Sequence, residues 1–335
     1  SIFTVPLTGY GGLEQVAWDC ADGLGKRGHA VTLISPEGST PPTNGTLLPT
    51  ALGEPERETW GKYRDTFPDF DCIIDHSWQK WAYISKFGGL KAPVLGVCHA
   101  PGFTMYATPP RIARPCFVGL SDDHARAGAE HWKCRVEVCY NGVNGDAYPM
   151  QRAPAEYNTV NSRPTNDRYL FCARFSTIKG PDIALGVCQR AGVPLDLVGD
   201  DKLTNEPWYS DTIKNLCDGT RFRYVGPQTR KEVAGWYSTA KALLHPIQRY
   251  REPFGLTIIE AALCGCPVIA WDNGAMRELI VPGETGFLVN SIDEMADLIR
   301  KDAVATIKPD VCRAHGLTFG VARMAKRYEE LATRA

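Results

Sequence analysis

Two carboxylates eight positions apart, Glu252 and Glu260 in the stretch EPFGLTIIE, carry the chemistry to be explained in this chain. Such a pair could be a general acid and base, a metal clamp, or two unrelated surface charges. Thr257 and Glu260 also stand at capping-box spacing, with Thr257 as N-cap and Glu260 reaching back to it, and that reading makes Glu260 structural. It leaves Glu252, Pro253 and Gly255 unexplained. A proline and a glycine there shape a close backbone approach, and a helix start presents unpaired N–H groups to an anion. Carboxylates flanking such an anion site suit hydroxyl recognition better than metal binding, because vicinal sugar hydroxyls donate well to a carboxylate. A nucleotide sugar carries a ribose, a diphosphate and a hexose in that order. The stretch offers it a carboxylate at each end with N–H donors between.

A second set of residues repeats the anion logic. In ARFSTIKGPD, Arg174 closes a strand-like run and Lys179 stands just before a Gly-Pro helix start. Two cations at a helix N-terminus suit a diphosphate, whose charge is spread over several oxygens; solvated loop charges are the plain alternative. In TGYGGLEQV, Gly9, Gly11 and Gly12 join a strand-like run to a helical one. They allow close approach to a ligand at a helix start, or simply make a tight turn. Three apparent motifs are discounted. Gly23, Gly25 and Gly28 spell G-x-G-x-x-G but follow a helix and precede a strand, the reverse of dinucleotide-site order; a helix end and turn is expected. Asp69-Phe70-Asp71 spells D-x-D but leads straight into CIID, so turn and strand-start carboxylates are expected. His124 and His131, on one helical run without a third ligand nearby, are expected at the surface.

The elements that must position these residues alternate along the chain. SIFTVP, HAVTLIS, FDCIIDHS, APVLGVCHA, CFVGLS and RVEVCYNGV read as strands in the first half, with helical LEQVAWDCADGLGKRG and DDHARAGAEHWK among them. Residues 149–167 are polar and Pro-rich without periodicity, a linker. The pattern restarts with RYLFCARF, GPDIALGVCQRAG, PLDLVGD, RFRYVG, KEVAGWYSTA, KALLHPI, EAALCG and CPVIAWD, and ends on the amphipathic GVARMAKRYEELATRA. Two blocks of alternating strands and helices predict two parallel sheets covered by helices. Ligands of such sheets bind beyond the carboxyl ends of the strands. Gly9–Gly12, His76, His99, Arg174–Lys179 and Glu252–Thr257 all fall there, and a cleft between two domains could gather them.

The totals fit this reading. A chain of 335 residues with 44% hydrophobic and 22% charged content is of ordinary globular type and long enough for two α/β domains. A net charge of -1 gives no general pull toward nucleic acid or anionic membrane. No apolar stretch approaches the ~20 residues of a spanning helix. The first residues lack the charge and apolar run of a secretory leader and read as a first strand short of a residue or two. The twelve cysteines fall largely inside apolar runs, where a reduced thiol acts as a small hydrophobe, and form no C-x-x-C pair. A cytoplasmic protein is expected.

The stretch EPFGLTIIEAALCGCPVIAWDNGAMRELIVPGETGFLV resembles the signature region of the family 4 retaining glycosyltransferases of the GT-B fold. The resemblance extends in order over GYGGLEQV, DHS, CHAP, YNGVN, ARFSTIKG and RMAKRYEEL. It implies two Rossmann-like domains facing each other across a cleft: residues 1–150 with a returning C-terminal helix, 318–335, as the acceptor domain, a linker near 150–166, and residues 165–317 as the donor domain. It implies that Glu260 holds the ribose hydroxyls and that Glu252 faces the donor sugar. Phe254, Gly255, Leu256 and Thr257 would give backbone contacts, and Arg174 and Lys179 would clamp the diphosphate. Gly11 and Gly12 match the loop that closes on donor phosphate and acceptor, His99 a histidine near the reacting sugar, and His76 an acceptor-side position. The implied enzyme is a retaining, metal-independent hexosyltransferase without cofactor, using a UDP- or GDP-sugar as donor and a sugar, lipid-linked or small-molecule acceptor; peripheral membrane contact and oligomeric state stay open. An epimerase or phosphorylase of the same fold, or a silent sugar-nucleotide binder, are the alternatives. Asn144 stands where the family has an acidic residue, and RYREPFG replaces a Ser-rich approach, so donor identity is not carried over. The long mixed loop from Cys98 to Pro115 is the acceptor-side candidate, or plain loop packing.

Overall fold

A computed structural model describes residues 3–9, 11–100, 116–150, 167–199, 204 and 206–334. The expected linker and most of the loop from Cys98 to Pro115 lie outside them. The chain divides into two compact units: Ser1–Leu7, Gly11–Val143 and Phe319–Ala335 in one, Thr8–Tyr10 and Asn144–Thr318 in the other.

The first unit contains α1 (Gly12–Lys26), β1 (Val31–Pro36), β2 (Gly45–Thr50), α2 (Glu56–Tyr63), β3 (Ile73–Asp75), α3 (Trp81–Ile84), β4 (Val94–Val97), β5 (Cys116–Gly119), α4 (Asp122–Trp132) and β6 (Val136–Val138). Among the described residues, β3, β4, β5 and β6 pair in sequence order as one parallel sheet, and β1 and β2 form a separate parallel pair. Of the expected first strand, SIFTVP, the described residues 3–6 form no strand. The Val5 amide donates to the Ser39 hydroxyl (3.1 Å) and the Leu7 amide to Gln15 Oε1 (2.8 Å), so side chains satisfy donors that a ladder would have used. The G-x-G-x-x-G run ends α1, as expected, and two of its glycines are packing positions. A Cβ on Gly25 would lie 1.6 Å from the Thr43 carbonyl oxygen, and one on Gly23 would lie 2.9 Å from Val321 in the last helix. Asp69 closes a short 3₁₀ turn and Asp71 precedes β3, both exposed.

The second unit runs β7 (Tyr169–Cys172), α5 (Pro181–Ala191), β8 (Leu195–Val198), α6 (Pro207–Asn215), β9 (Phe222–Gly226), α7 (Arg230–Thr239), β10 (Leu243–His245), α8 (Leu256–Leu263), β11 (Val268–Trp271), α9 (Met276–Leu279), β12 (Gly286–Val289), α10 (Ile292–Arg300) and α11 (Pro309–Leu317). Its six strands are parallel in the order β12-β11-β10-β7-β8-β9. Such strands are covered on both faces and read as apolar runs rather than alternating ones; all four residues of β8 and all three of β10 are buried. Phe171, Phe175, Val187, Leu195, Leu197, Ile269 and Met295 belong to the core on which the helices pack. Strand order reverses between β7 and β10, the neighbouring strands from which the chain moves outward to opposite edges. In doubly wound sheets the loops leaving such a pair open a crevice for ligand. Residues 144–150, which the sequence places in the first domain, belong to this unit.

The chain closes with α12 (Val321–Ala332), which belongs to the first unit and packs on α1. Its seam needs small residues: a Cβ on Gly142 would come within 2.7 Å of Val321 Cα. Glu329 accepts from Arg27 and, at 2.9 Å, pairs with His29, while Arg327 donates to the Val138 carbonyl at 2.8 Å.

Candidate functional site

The two loops leaving the switch point of the second unit bring together residues 73 positions apart. Lys179, at the end of the β7 loop, places its Nζ 2.6 Å from Glu252 Oε2, on the loop that follows β10. Glu252 is buried, 9% exposed. Burial alone would raise its carboxyl pKa; the charges of Lys179, His245 and Arg174 together hold it below the ordinary carboxylate value. The Lys179 ammonium also lies over the Tyr250 ring, 5.2 Å from its centroid. Arg174, Lys179 and Glu252, singled out from the sequence, stand in one neighbourhood, with Lys179 and Glu252 bonded directly.

The geometry of that neighbourhood is fixed from behind. The Thr177 amide and hydroxyl both donate to the Glu206 carboxylate at 2.7 Å, and the Thr177 carbonyl accepts from Arg249 at 2.9 Å. Arg249 pairs in turn with Asp182 at 2.8 Å, in the first turn of α5, and Asp182 accepts from the Tyr209 hydroxyl at 2.5 Å. Gly180 caps α5 at φ 72, and Pro181 opens it where the missing N–H costs nothing. The Glu252 backbone is held by Gly274, whose φ is +65. A Cβ there would sit 2.2 Å from the Glu252 carbonyl oxygen, and the next amide, of Ala275, donates to that oxygen at 3.0 Å.

At the start of α8 the structure overturns the capping-box reading. The N-cap is Gly255, in left-handed conformation at φ 91, and Thr257 lies inside the helix without capping it. The real capping box of this unit is Thr229 with Glu232, at the start of α7. Phe254 is buried at 2%, so its side chain belongs to the core. The amides of the first turn, Leu256 and Thr257 among them, have no intrahelical partner by construction. Glu260, one turn further, does not reach back. Its Oε1 accepts from the Tyr148 hydroxyl at 2.8 Å and its Oε2 from the Tyr237 hydroxyl at 3.1 Å. Burial first, and then the Glu260 charge, push the Tyr148 phenol well up, so it is a firm donor. A carboxylate has about four lone-pair sites, which leaves each oxygen one acceptor position after these two bonds.

Tyr148, Tyr237, His245, Arg249, Glu206 and Gly274 were not found from sequence. Tyr148 and Tyr237 lie more than twenty residues from Glu260, and no local pattern joins them. His245 ends β10 fully inside the unit. Burial, with the Lys179 charge adding, pushes its imidazole down to about 4 against the pull of Glu252. Arg249 did leave a signal, the basic run RYREPFG.

The first unit holds the remaining expected residues. Gly11, at φ 138, is the residue before α1, and a Cβ there would meet the Leu7 side chain at 2.4 Å; Gly12 opens the helix. His76 directly follows β3 and His99 follows β4 by two residues, and the pairing of these strands brings the two rings together. His76 Nδ1 lies 3.0 Å from His99 Nε2. His124 is not at the surface as expected: it is 2% exposed, its Nδ1 accepting from the Leu120 amide (3.2 Å) and its Nε2 bonding the Ala100 carbonyl (2.9 Å). Seven-residue spacing without a metal partner says nothing about packing, and here both ring nitrogens are taken up by backbone groups. His131 is exposed. All twelve cysteines are free thiols. Among the described residues no cluster of three His, Cys, Asp or Glu could hold a metal ion, and no helix is long and apolar enough to cross a membrane.

Comparison with known proteins places these features in context. Residues 10–146 match the family model described as Glycosyltransferase Family 4, and residues 155–302 the one described as Glycosyl transferases group 1. D-inositol 3-phosphate glycosyltransferase of Mycobacteroides abscessus is 29% identical over 180 residues, 50% of this chain and 40% of the relative. That of Nocardiopsis dassonvillei is 25% identical over 227 residues, 62% of this chain and 52% of the relative. The matches thus span about half the length of these curated relatives or less. Among solved structures, a glycosyltransferase involved in avilamycin A biosynthesis superposes with a TM-score of 0.70 at 25% identity, over 99% of this chain and 92% of that one. An Anabaena protein in complex with UDP-glucose gives 0.74 at 19% identity, over 98% of both.

Proposed function

We infer the reaction from one premise: the chain belongs to the family 4 glycosyltransferases, with the GT-B fold. It transfers a sugar from a nucleoside-diphosphate sugar to an acceptor hydroxyl. The observation that carries this reading is the Lys179–Glu252 pair at the switch point of the donor-type unit, beside Arg174 and the start of α8.

Departure of a nucleoside diphosphate develops negative charge on its phosphate oxygens. Arg174, Lys179 and the amides opening α8 supply positive charge already fixed in place, and one well-placed donor of this kind lowers such a barrier by ~3 kcal/mol. Glu252, ionised and buried, accepts from the hydroxyls of the donor sugar. Glu260 accepts from the ribose hydroxyls through the lone pairs that Tyr148 and Tyr237 leave. The sugar becomes oxocarbenium-like as the phosphate leaves. Attack on the same face, with the departing phosphate taking the acceptor proton, retains the anomeric configuration. The residues bind, orient and neutralise; no side chain acts as nucleophile, and no metal is required. Within the first unit, His99 is proposed for the sugar side and the Gly11–Gly12 turn for the phosphate and acceptor side.

The test is a panel of UDP-, GDP-, ADP- and TDP-sugars with the pure protein, UDP-glucose first because the Anabaena relative binds it. Slow release of free nucleotide, accelerated by an acceptor and giving product of unchanged anomeric configuration, is the expected result. Donor binding with no turnover on any acceptor would overturn transfer in favour of a silent binder, and inverted product would overturn the same-face mechanism.

A further inference from the structure

His76 and His99 form a contact that the transfer mechanism has not used. Their ring centroids lie 5.2 Å apart with planes inclined by 32°, and Nδ1 of His76 faces Nε2 of His99 at 3.0 Å. At that distance one of the two nitrogens must carry a hydrogen, since two lone pairs would repel. Which one follows from the other nitrogen of His76. Its Nε2 is buried and, among the described residues, has no hydrogen-bond partner. If His99 were the donor, the His76 proton would sit on Nε2 as a buried, orphaned N–H. If His76 donates from Nδ1, Nε2 is left with only a bare lone pair, the more tolerable orphan. The second arrangement requires His99 to carry its own proton on Nδ1, because the proton position on one imidazole nitrogen is set by the bond the other makes.

The surroundings keep both rings uncharged. Lys80 is 3% exposed and donates its ammonium to the Ser77 carbonyl, so a positive charge already stands buried beside the pair. Asp75 is also buried, and its carboxylate accepts from the amides of Ser77 (2.9 Å) and Ala82 (3.1 Å). Burial, with Lys80 adding, holds the His76 imidazole down to about 3 and that of His99 well below its ordinary value.

We propose that His76 is a positioning residue: it donates from Nδ1 to His99 Nε2 and thereby fixes His99 as a neutral Nδ1–H donor toward an oxygen of the reacting sugar. This rests on the reading that His99 stands at the donor sugar. It means that His99 contributes a fixed dipole and takes no part as acid or base.

The tautomers can be read directly. The full chain is labelled with ¹⁵N-histidine, and long-range ¹H–¹⁵N spectra are recorded for wild type, His76→Asn, His76→Phe and His99→Gln, the last assigning the His99 signals. Wild-type His99 is expected protonated at Nδ1 and bare at Nε2. His76→Asn, whose amide replaces the Nδ1–H donor, is expected to keep that pattern. His76→Phe, which offers no donor, is expected to lose it, and with it at least about tenfold in kcat at little change in donor KM, with Asn recovering most of the loss. A merely structural role for His76 would not move a tautomer. A wild-type His99 protonated on Nε2, or a His99 spectrum unchanged in the Phe variant, overturns the proposal. A changed spectrum with unchanged kcat upholds the pairing and overturns the placement of His99 at the sugar. Should the Phe variant fail to fold, the wild-type spectrum still decides.

Discussion

Lys179 and Glu252 each make the other tolerable where it stands. Their side chains are 17% and 12% exposed, so removing one partner strands a charge in a poorly solvated place, which typically destabilises by ~3 kcal/mol. Stability and catalysis can therefore be separated by a double variant. Lys179→Ala is expected to lower the melting temperature and to cut turnover at least about tenfold, ~1.4 kcal/mol. Adding Glu252→Gln is expected to restore most of the melting temperature and none of the turnover; restored turnover would reduce the pair to a structural bridge. His245 behind it gives a pH signature. Its imidazole is held to about 4 by burial, whereas the unfolded chain protonates it near the ordinary ~6.5. Between those values the unfolded state binds the extra proton, so native stability falls as pH falls, by up to about 3 kcal/mol on reaching pH 4. His76, depressed to about 3, pulls the same way. Melting temperatures followed from pH 7.5 to 5 should decline, and His245→Gln should flatten part of that slope; an unchanged slope would show that His245 is not the titrating group.

Elements decide how much of this the sequence could reveal. The strand-helix alternation of the second unit was legible because its strands are apolar runs and α5 starts on a Gly-Pro signal. SIFTVP misled because a side chain, which pattern cannot see, takes up the Val5 amide. The same blindness applies to Thr257, whose spacing fits a capping box that Gly255 forestalls by turning the chain at φ 91. Partners of Glu260 come from the end of one segment and the middle of α7, and no local rule links them. Gly274 is the sharpest case, a glycine in an ordinary-looking turn that sets the Glu252 backbone. Gly274→Ala would need a left-handed alanine with its Cβ 2.2 Å from that backbone, so a loss of about 1–3 kcal/mol and more than tenfold in turnover is expected. Gly186, inside α5, is the contrast: a Cβ there meets nothing within 4 Å. Gly186→Ala is expected to stabilise by about 0.5–1 kcal/mol through helix propensity with unchanged turnover. Equal effects of the two substitutions, measured by denaturant unfolding and donor turnover, would remove Gly274 from the account of the site.

At the scale of the whole molecule, a net charge of -1 says nothing about where the charges stand. On the proposed reading, the positive charge that a diphosphate would meet comes from Arg174, Lys179 and the opening turn of α8, all built on the loops of one switch point. A divalent ion would bring about the same charge with the substrate; in the proposed mechanism the fold carries it permanently, which also avoids reorganising it during reaction. Fixed charge at a partly solvated site is screened with a Debye length of about 8 Å at physiological salt, so donor KM should rise with ionic strength while kcat changes little. The same argument predicts indifference to chelation. Turnover with EDTA is expected within about twofold of that with magnesium, because in the proposed mechanism the leaving diphosphate meets Arg174 and Lys179 in either case. The decisive comparison is wild type against Lys179→Ala, each with and without magnesium. If magnesium rescues the variant while wild type ignores it, the lysine stands in for a cation. If wild type itself loses more than about tenfold to EDTA and regains it with magnesium, the fixed-charge account fails.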